Sequence, residues 1–191
     1  MTETAIHPSE CSILLGLATS KEQFFLDQAR GDRDFSKRYR GLWEKYDREF
    51  AGVSRSVLPN LSRLGVRVEY GVSLPAFQAA FGRDRVVVLF SHWTDSSIEF
   101  EDGLHPWPEV AAAVPRSFVG VLDLCVCHPM PLTFELRRTH QCLVKYTSTT
   151  ATPAYWLYFY LALFYRLLER PSGYVEAVES VSSELLAQLI E

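Results

Sequence analysis

The sequence has little net charge and no long apolar run, and each shortage excludes a class of protein. The net charge is −4 and the pI is near 5.8, so the chain lacks the excess of Lys and Arg with which nucleic-acid-binding proteins neutralise phosphates. Its most apolar stretch, Tyr155–Leu168, is shorter than the ~20 residues of a membrane-spanning helix and contains Arg166. We expect neither nucleic acid nor a membrane as a direct partner.

Cysteines are also few. Cys11, Cys125, Cys127 and Cys142 would form disulfides only in an oxidising compartment. The apolar residues Ile13–Leu17 are too few for a signal peptide and lack its basic flank. We therefore expect a cytoplasmic protein with free thiols.

The composition that is present is that of a folded globular protein. Hydrophobic residues make up 48% of the chain and charged residues 22%, which is ordinary for a soluble domain. A length of 191 residues is within the range of one domain. We predict one compact domain, in which an N-terminal helical subregion, residues 1–64, packs on an α/β core, residues 65–191.

The region after Gly65 alternates between strand and helix patterns. Arg85–Ser91 is an unbroken run rich in β-branched residues, typical of a parallel strand covered on both faces, and Ser117–Leu124 is a second such run. Shorter strands are predicted at Val66–Tyr70, Ser97–Phe100 and Gln141–Thr147, and helices at Leu74–Phe81, Pro108–Val114, Ala154–Glu169 and Tyr174–Ile190. This alternation indicates an α/β fold with a doubly wound, mostly parallel sheet flanked by helices.

Each of the two long runs leads into a reactive residue. His92 follows Val86–Ser91, and Cys125 follows Val119–Leu124. Because the carboxyl ends of parallel strands gather at one edge of a sheet, we expect the imidazole and the thiol on neighbouring strand ends. An imidazole can take the proton of a thiol and later protonate a leaving amine. His92 and Cys125 are therefore the predicted catalytic pair.

Other interpretations of these residues remain open. Cys127 is an alternative nucleophile, because residues two apart in a strand face the same way; Cys125 is preferred because it ends the apolar run. Cys125–His128, together with His140 and Cys142, could instead supply metal ligands, although the spacing matches no common zinc module. Taken singly, Cys125 could be an inert core thiol and His92 a structural loop histidine.

The order of these signals resembles that of caspase-like cysteine peptidases, most closely their bacterial CHAT branch, over residues 66–168. In that family a buried strand ends in Ser-His or Gly-His, a short turn segment with Asp-Gly follows, and a second buried strand ends in the nucleophilic Cys. Here the corresponding segments are Val86–Trp93, Ser97–Leu104 and Phe118–Cys125. A later strand, a loop lining the substrate groove and a helix with Phe-Tyr before Leu also have counterparts, in residues 142–153 and Tyr155–Leu168.

The resemblance implies a three-layer caspase-like fold and a cysteine endopeptidase that acts through an acyl-enzyme and needs no cofactor. Relatives often act in regulated cascades, including bacterial defence, so a protein substrate and a separate regulatory or sensor protein are the implied partners. The backbone N–H groups of Trp93 and Cys125 would form the oxyanion hole. Asp123 stands in an Asp-x-Cys pattern like that of metacaspases and paracaspases, where the Asp receives a basic side chain of the substrate.

One position departs from the family pattern. Trp93 directly follows His92, where the family usually has Gly. The N–H of the residue is kept, but a large side chain could narrow the cleft. A second hypothesis is therefore a caspase-like interaction module without activity.

Overall fold

Eight strands form two sheets in the computed structural model, which describes residues 4–30, 39, 41–94, 96–146 and 152–188. The strands of the larger sheet are β1 Cys11–Leu15, β2 Arg67–Tyr70, β3 Val86–Phe90, β7 Val121–Cys125 and β8 Leu143–Tyr146. Those of the smaller sheet are β4 Trp93–Thr94, β5 Ser97–Phe100 and β6 Gly103–Pro106. The larger sheet has the order β2-β1-β3-β7-β8 and is parallel throughout; the smaller one is antiparallel.

Helices cover both faces of the larger sheet. They are α1 Lys21–Arg30, α2 Trp43–Tyr46, α3 Gly52–Arg63, α4 Leu74–Ala80, α5 Trp107–Ala113, α6 Met130–Thr139, α7 Pro153–Glu169 and α8 Tyr174–Gln188, with a π-helical segment, Asp47–Ala51, between α2 and α3. Three of the described helices begin at side-chain caps: the hydroxyls of Ser20, Ser73 and Thr152 accept hydrogen bonds from the backbone of α1, α4 and α7. The predicted α/β class, with a mostly parallel sheet between helices, is confirmed.

None of the helices in the described part of the chain combines the length and the apolar content needed to cross a membrane.

Strand β1 was not predicted from the sequence. All five of its residues are buried, and it lies between β2 and β3. The run Cys11–Leu15 is short and has no alternation of apolar and polar residues, so it carries little of the periodicity by which a strand is recognised. The central sheet therefore draws strands from both sides of Gly65.

The two faces of the larger sheet pack on separate apolar cores. On β3, Val86, Val88 and Phe90 belong to one core, and Val87 and Leu89 belong to the other. We call these face 1 and face 2. Face 1 is covered by the helices α1, α2, α3, α7 and α8, and face 2 by α4, α5 and α6. This double cover explains why β3 is apolar throughout and why β7 is apolar except at Asp123.

Gly16 allows β1, β3 and the smaller sheet to approach one another closely. Its N–H donates to the carbonyl of Phe90 at 3.0 Å. A Cβ at this position would lie 2.5 Å from the carbonyl oxygen of Glu99 and 2.7 Å from Oγ of Ser91. Any side chain here would push apart the segments next to the end of β3.

We expect Gly16→Ala to lower the free energy of unfolding by about 1–3 kcal/mol, the usual cost of overpacking a tight interior position. Urea denaturation measures it. Gly82→Ala is the matched control, since the nearest atom to its added Cβ is 3.7 Å away. Equal effects of the two substitutions would contradict the close packing at Gly16.

Candidate active site

The ends of β3 and β7 form the candidate site. The two strands are direct neighbours, and their last paired residues are Phe90 and Cys125. The N–H of Ser91 donates to the carbonyl of Cys125 at 3.3 Å, which continues the contact beyond the strands. His92 and Cys127 come next along the two chain segments. The segments that carry the imidazole and the thiols are therefore brought to one edge of the sheet.

His92 is nearly enclosed, with 3% of its surface exposed. Its carbonyl accepts a hydrogen bond of 2.9 Å from the N–H of Glu99, which ties it to β5. The next residue, Trp93, pairs with Ile98 in the smaller sheet, and both side chains belong to the core of face 2. Since neighbouring side chains of an extended chain point to opposite sides, His92 is placed on the side of face 1.

Cys125 is the last residue of β7, and its thiol lies in the core of face 1. Only 6% of the residue is exposed. Burial raises the pKa of the thiol far above its usual range, and the negative charge of Asp123 raises it further, while the charge of Lys145 and the nearby hydroxyl of Tyr160 act in the opposite direction. A buried, protonated thiol is a poor nucleophile. The role predicted for Cys125 stays a prediction, and this environment argues against it.

Cys127 has a different environment, because it is exposed. Val126, between the two cysteines, packs in the core of face 2, and the chain bends at Val126 and Cys127. The chain then turns sharply, with His128 at a φ of 52°, a left-handed conformation that few residues other than Gly adopt. Helix α6 starts two residues later, at Met130.

Asp123 was predicted to bind a basic side chain of the substrate, and the structure gives it other partners. The residue has no exposed surface. Nζ of Lys145 lies 3.0 Å and 2.9 Å from its two carboxylate oxygens, and the hydroxyl of Tyr174 donates to it at 2.8 Å. A substrate cation would have to displace Lys145 to reach this carboxylate. These contacts argue for a structural ion pair in place of the predicted substrate-binding role.

Lys145 is the partner that the sequence analysis missed. Its Nζ lies within 6 Å of the centroids of three rings of α7, those of Trp156, Phe159 and Tyr160, so the charge is stabilised by aromatic faces as well as by Asp123. A signal was available: Asp123 interrupts a predicted buried strand, and Lys145 lies in the next predicted strand. Charges buried in neighbouring strands require each other as counter-ions.

Some of the remaining predicted parts of the site lie outside the described residues. The loop expected to line a substrate groove includes residues 147–151, which the structure does not describe. The predicted oxyanion role of the Trp93 and Cys125 N–H groups stays a prediction. Within the part of the chain that the structure describes, no group of three or more His, Cys, Asp and Glu side chains is arranged to hold a metal ion.

No model of a known protein family matches the sequence, and a search of curated proteins finds no match either.

We expect Asp123→Asn to lower the free energy of unfolding by about 3–5 kcal/mol, because it leaves Lys145 largely buried without a counter-charge. Replacing both charges with apolar residues, in Asp123→Leu with Lys145→Met, should cost less than that single change. Arg138→Ala is the control, since it removes an exposed ion pair with Glu135 and should cost no more than ~1 kcal/mol. Urea denaturation at neutral pH measures all three, and similar losses for Asp123→Asn and Arg138→Ala would contradict the buried pair.

Proposed function

We propose that the protein is a cysteine endopeptidase in which His92 activates a thiol at the end of β7. The observation that supports this most directly is the pairing of β3 with β7. The two strands are parallel neighbours in register at Phe90 and Cys125, so an imidazole and two cysteines leave the sheet at the same edge. The side chain of Cys125 packs in the core of face 1, and side-chain alternation along the extended chain assigns His92 to the same side.

The chemistry requires little more than these groups. The imidazole takes the proton of the thiol, the thiolate attacks the peptide carbonyl, and the protonated imidazole then donates to the leaving amine. In our proposal the backbone N–H of Trp93 and that of the nucleophile itself stabilise the oxyanion.

Trp93 was the reason for considering an inactive interaction module. Its indole packs in the core of face 2 together with Ile98 and Phe100, on the opposite side of the sheet from the proposed cleft. The large side chain therefore does not fill the space in which the thiol and the imidazole would meet. This placement favours the peptidase over the inactive module.

The resemblance to caspase-like peptidases supports the wider part of the proposal. It implies a protein substrate, a separate regulator or sensor, and a role in a regulated cascade such as bacterial defence. All four cysteines are free thiols, which suits a reducing compartment, and we propose the cytoplasm. A preference for Arg or Lys in the substrate is not included, because Asp123 is already occupied by Lys145.

We expect His92→Ala to slow cleavage of a mixed library of internally quenched peptides by about 10²-fold or more, because a positioned base is lost. Alkylation of the reactive thiol by iodoacetamide should slow as well. His140→Ala is the matched control, since the ring of His140 contacts the carbonyl of Val114 at 2.9 Å, near the opposite edge of the sheet. Alkylation at the wild-type rate in the His92 variant would exclude the catalytic pair and favour the interaction module.

A further inference from the structure

We infer that Cys127 is the nucleophile that His92 activates, and that Cys125 is a structural residue of the core. This inference depends on the proposed peptidase function, and it assigns that function to one of two thiols. Cys125 is the last residue of β7, and Cys127 follows it by two residues. Their positions relative to the end of the strand, their exposure and the course of the backbone distinguish the two thiols.

The strand pairing brings the segment of Cys127 to the same edge of the sheet as that of His92. Phe90 is the partner of Cys125; His92 follows Phe90 by two residues, and Cys127 follows Cys125 by two residues. The N–H of Ser91 donates to the carbonyl of Cys125, and the chain bends directly beyond this contact. Cys127, unlike Cys125, therefore lies beyond the end of its strand, as His92 does.

The packing on face 2 holds both segments against the sheet at this edge. Trp93 and Val126 lie beyond the ends of β3 and β7, and both side chains are in the core of face 2. Each is the immediate neighbour of a proposed catalytic residue. The segments of His92 and Cys127 are therefore both anchored at the same edge of the sheet.

Exposure separates the two thiols most clearly. Cys125 packs in the same core as Tyr160 of α7, and only 6% of its surface is exposed, so a substrate carbonyl has little access to it. Cys127 is exposed. A nucleophile has to meet a carbonyl carbon and a base at once, and of these two thiols Cys127 satisfies both requirements.

The backbone around Cys127 fits the same assignment. The chain bends away from the direction of β7 at Val126 and Cys127, and His128 adopts a φ of 52° and is exposed. Non-Gly residues in the left-handed region cost free energy and are concentrated at functional sites. Cys127 therefore lies in the exposed turn that connects β7 to α6.

The reaction then proceeds in two steps. Sγ of Cys127 transfers its proton to His92 and bonds to the carbonyl carbon of the substrate; the C–N bond breaks, and the amine leaves with the proton from His92. Water, deprotonated by His92, then attacks the thioester and displaces the thiolate, which recovers the proton. Cys125 takes no part in either step.

The test uses the full chain and maps alkylation by iodoacetamide at neutral pH with mass spectrometry. We expect the folded wild type to be labelled at Cys127, at a rate that falls in His92→Ala, and at Cys125 only after unfolding in urea. Cys127→Ala should lower peptide cleavage by at least ~10²-fold while leaving the urea midpoint unchanged. Cys125→Ala, the matched thiol-to-methyl change, should keep cleavage within about threefold after correction for any unfolded fraction.

The outcomes distinguish this inference from the function on which it depends. Labelling of Cys125 in the folded protein that depends on His92, with loss of cleavage in Cys125→Ala alone, would overturn the inference and keep the peptidase. Labelling of Cys127 at a rate that ignores His92 would overturn both. The mapping on the wild type needs no variant to fold, so destabilisation by Cys125→Ala does not prevent the test.

Discussion

The parallel pairing of β3 with β7 is the constraint on which the rest of the structure depends. It brings two chain segments that are more than thirty residues apart in the sequence to one edge of the sheet, with Phe90 opposite Cys125. The register decides which side chains meet beyond that edge. A shift by one residue would exchange the faces of every side chain on β7, so Asp123 would move into the core of face 2, and Leu122 and Leu124 would move into the core of face 1.

The buried ion pair adds a second constraint on register, at the far side of β7. Strand β8 is an edge strand whose one neighbour in the described sheet is β7, and Asp123 is the direct partner of Lys145. A one-residue slip of β8 would move Lys145 to face 2 and leave Asp123 without a counter-charge. Such a pair adds little to stability compared with an apolar pair of the same volume. Its effect here is specificity, because every other register of β8 leaves a charge unpaired.

The sequence predicted the architecture well where the apolar pattern was long and failed where the pattern was short or ambiguous. β3 was predicted within one residue, because an unbroken run of five apolar residues rich in valine is typical of a strand covered on both faces. β1 has the same burial but was missed. β7 begins at Val121 and not at Ser117. Val119, which was predicted to be buried in this strand, precedes it and is 75% exposed. Cys125 was taken as the residue after the strand, although the alternation continues through Val126. The packing of α7 over Cys125 makes the two thiols differ in exposure, and tertiary packing of this kind leaves no local signal in the sequence.

Trp93 differs from the Gly expected from the resemblance to caspase-like peptidases, and its side chain nonetheless fits the local fold. The backbone of His92 is held by Glu99 of β5, and β5 must be held in turn. The indole of Trp93 packs against its cross-strand partner Ile98 on face 2, which fixes the smaller sheet to the larger one directly beside His92. A Gly at this position would supply the N–H but none of that packing. The large side chain is therefore an anchor for the strand pair that positions the imidazole, and its volume is accommodated on the face where no substrate is proposed to bind.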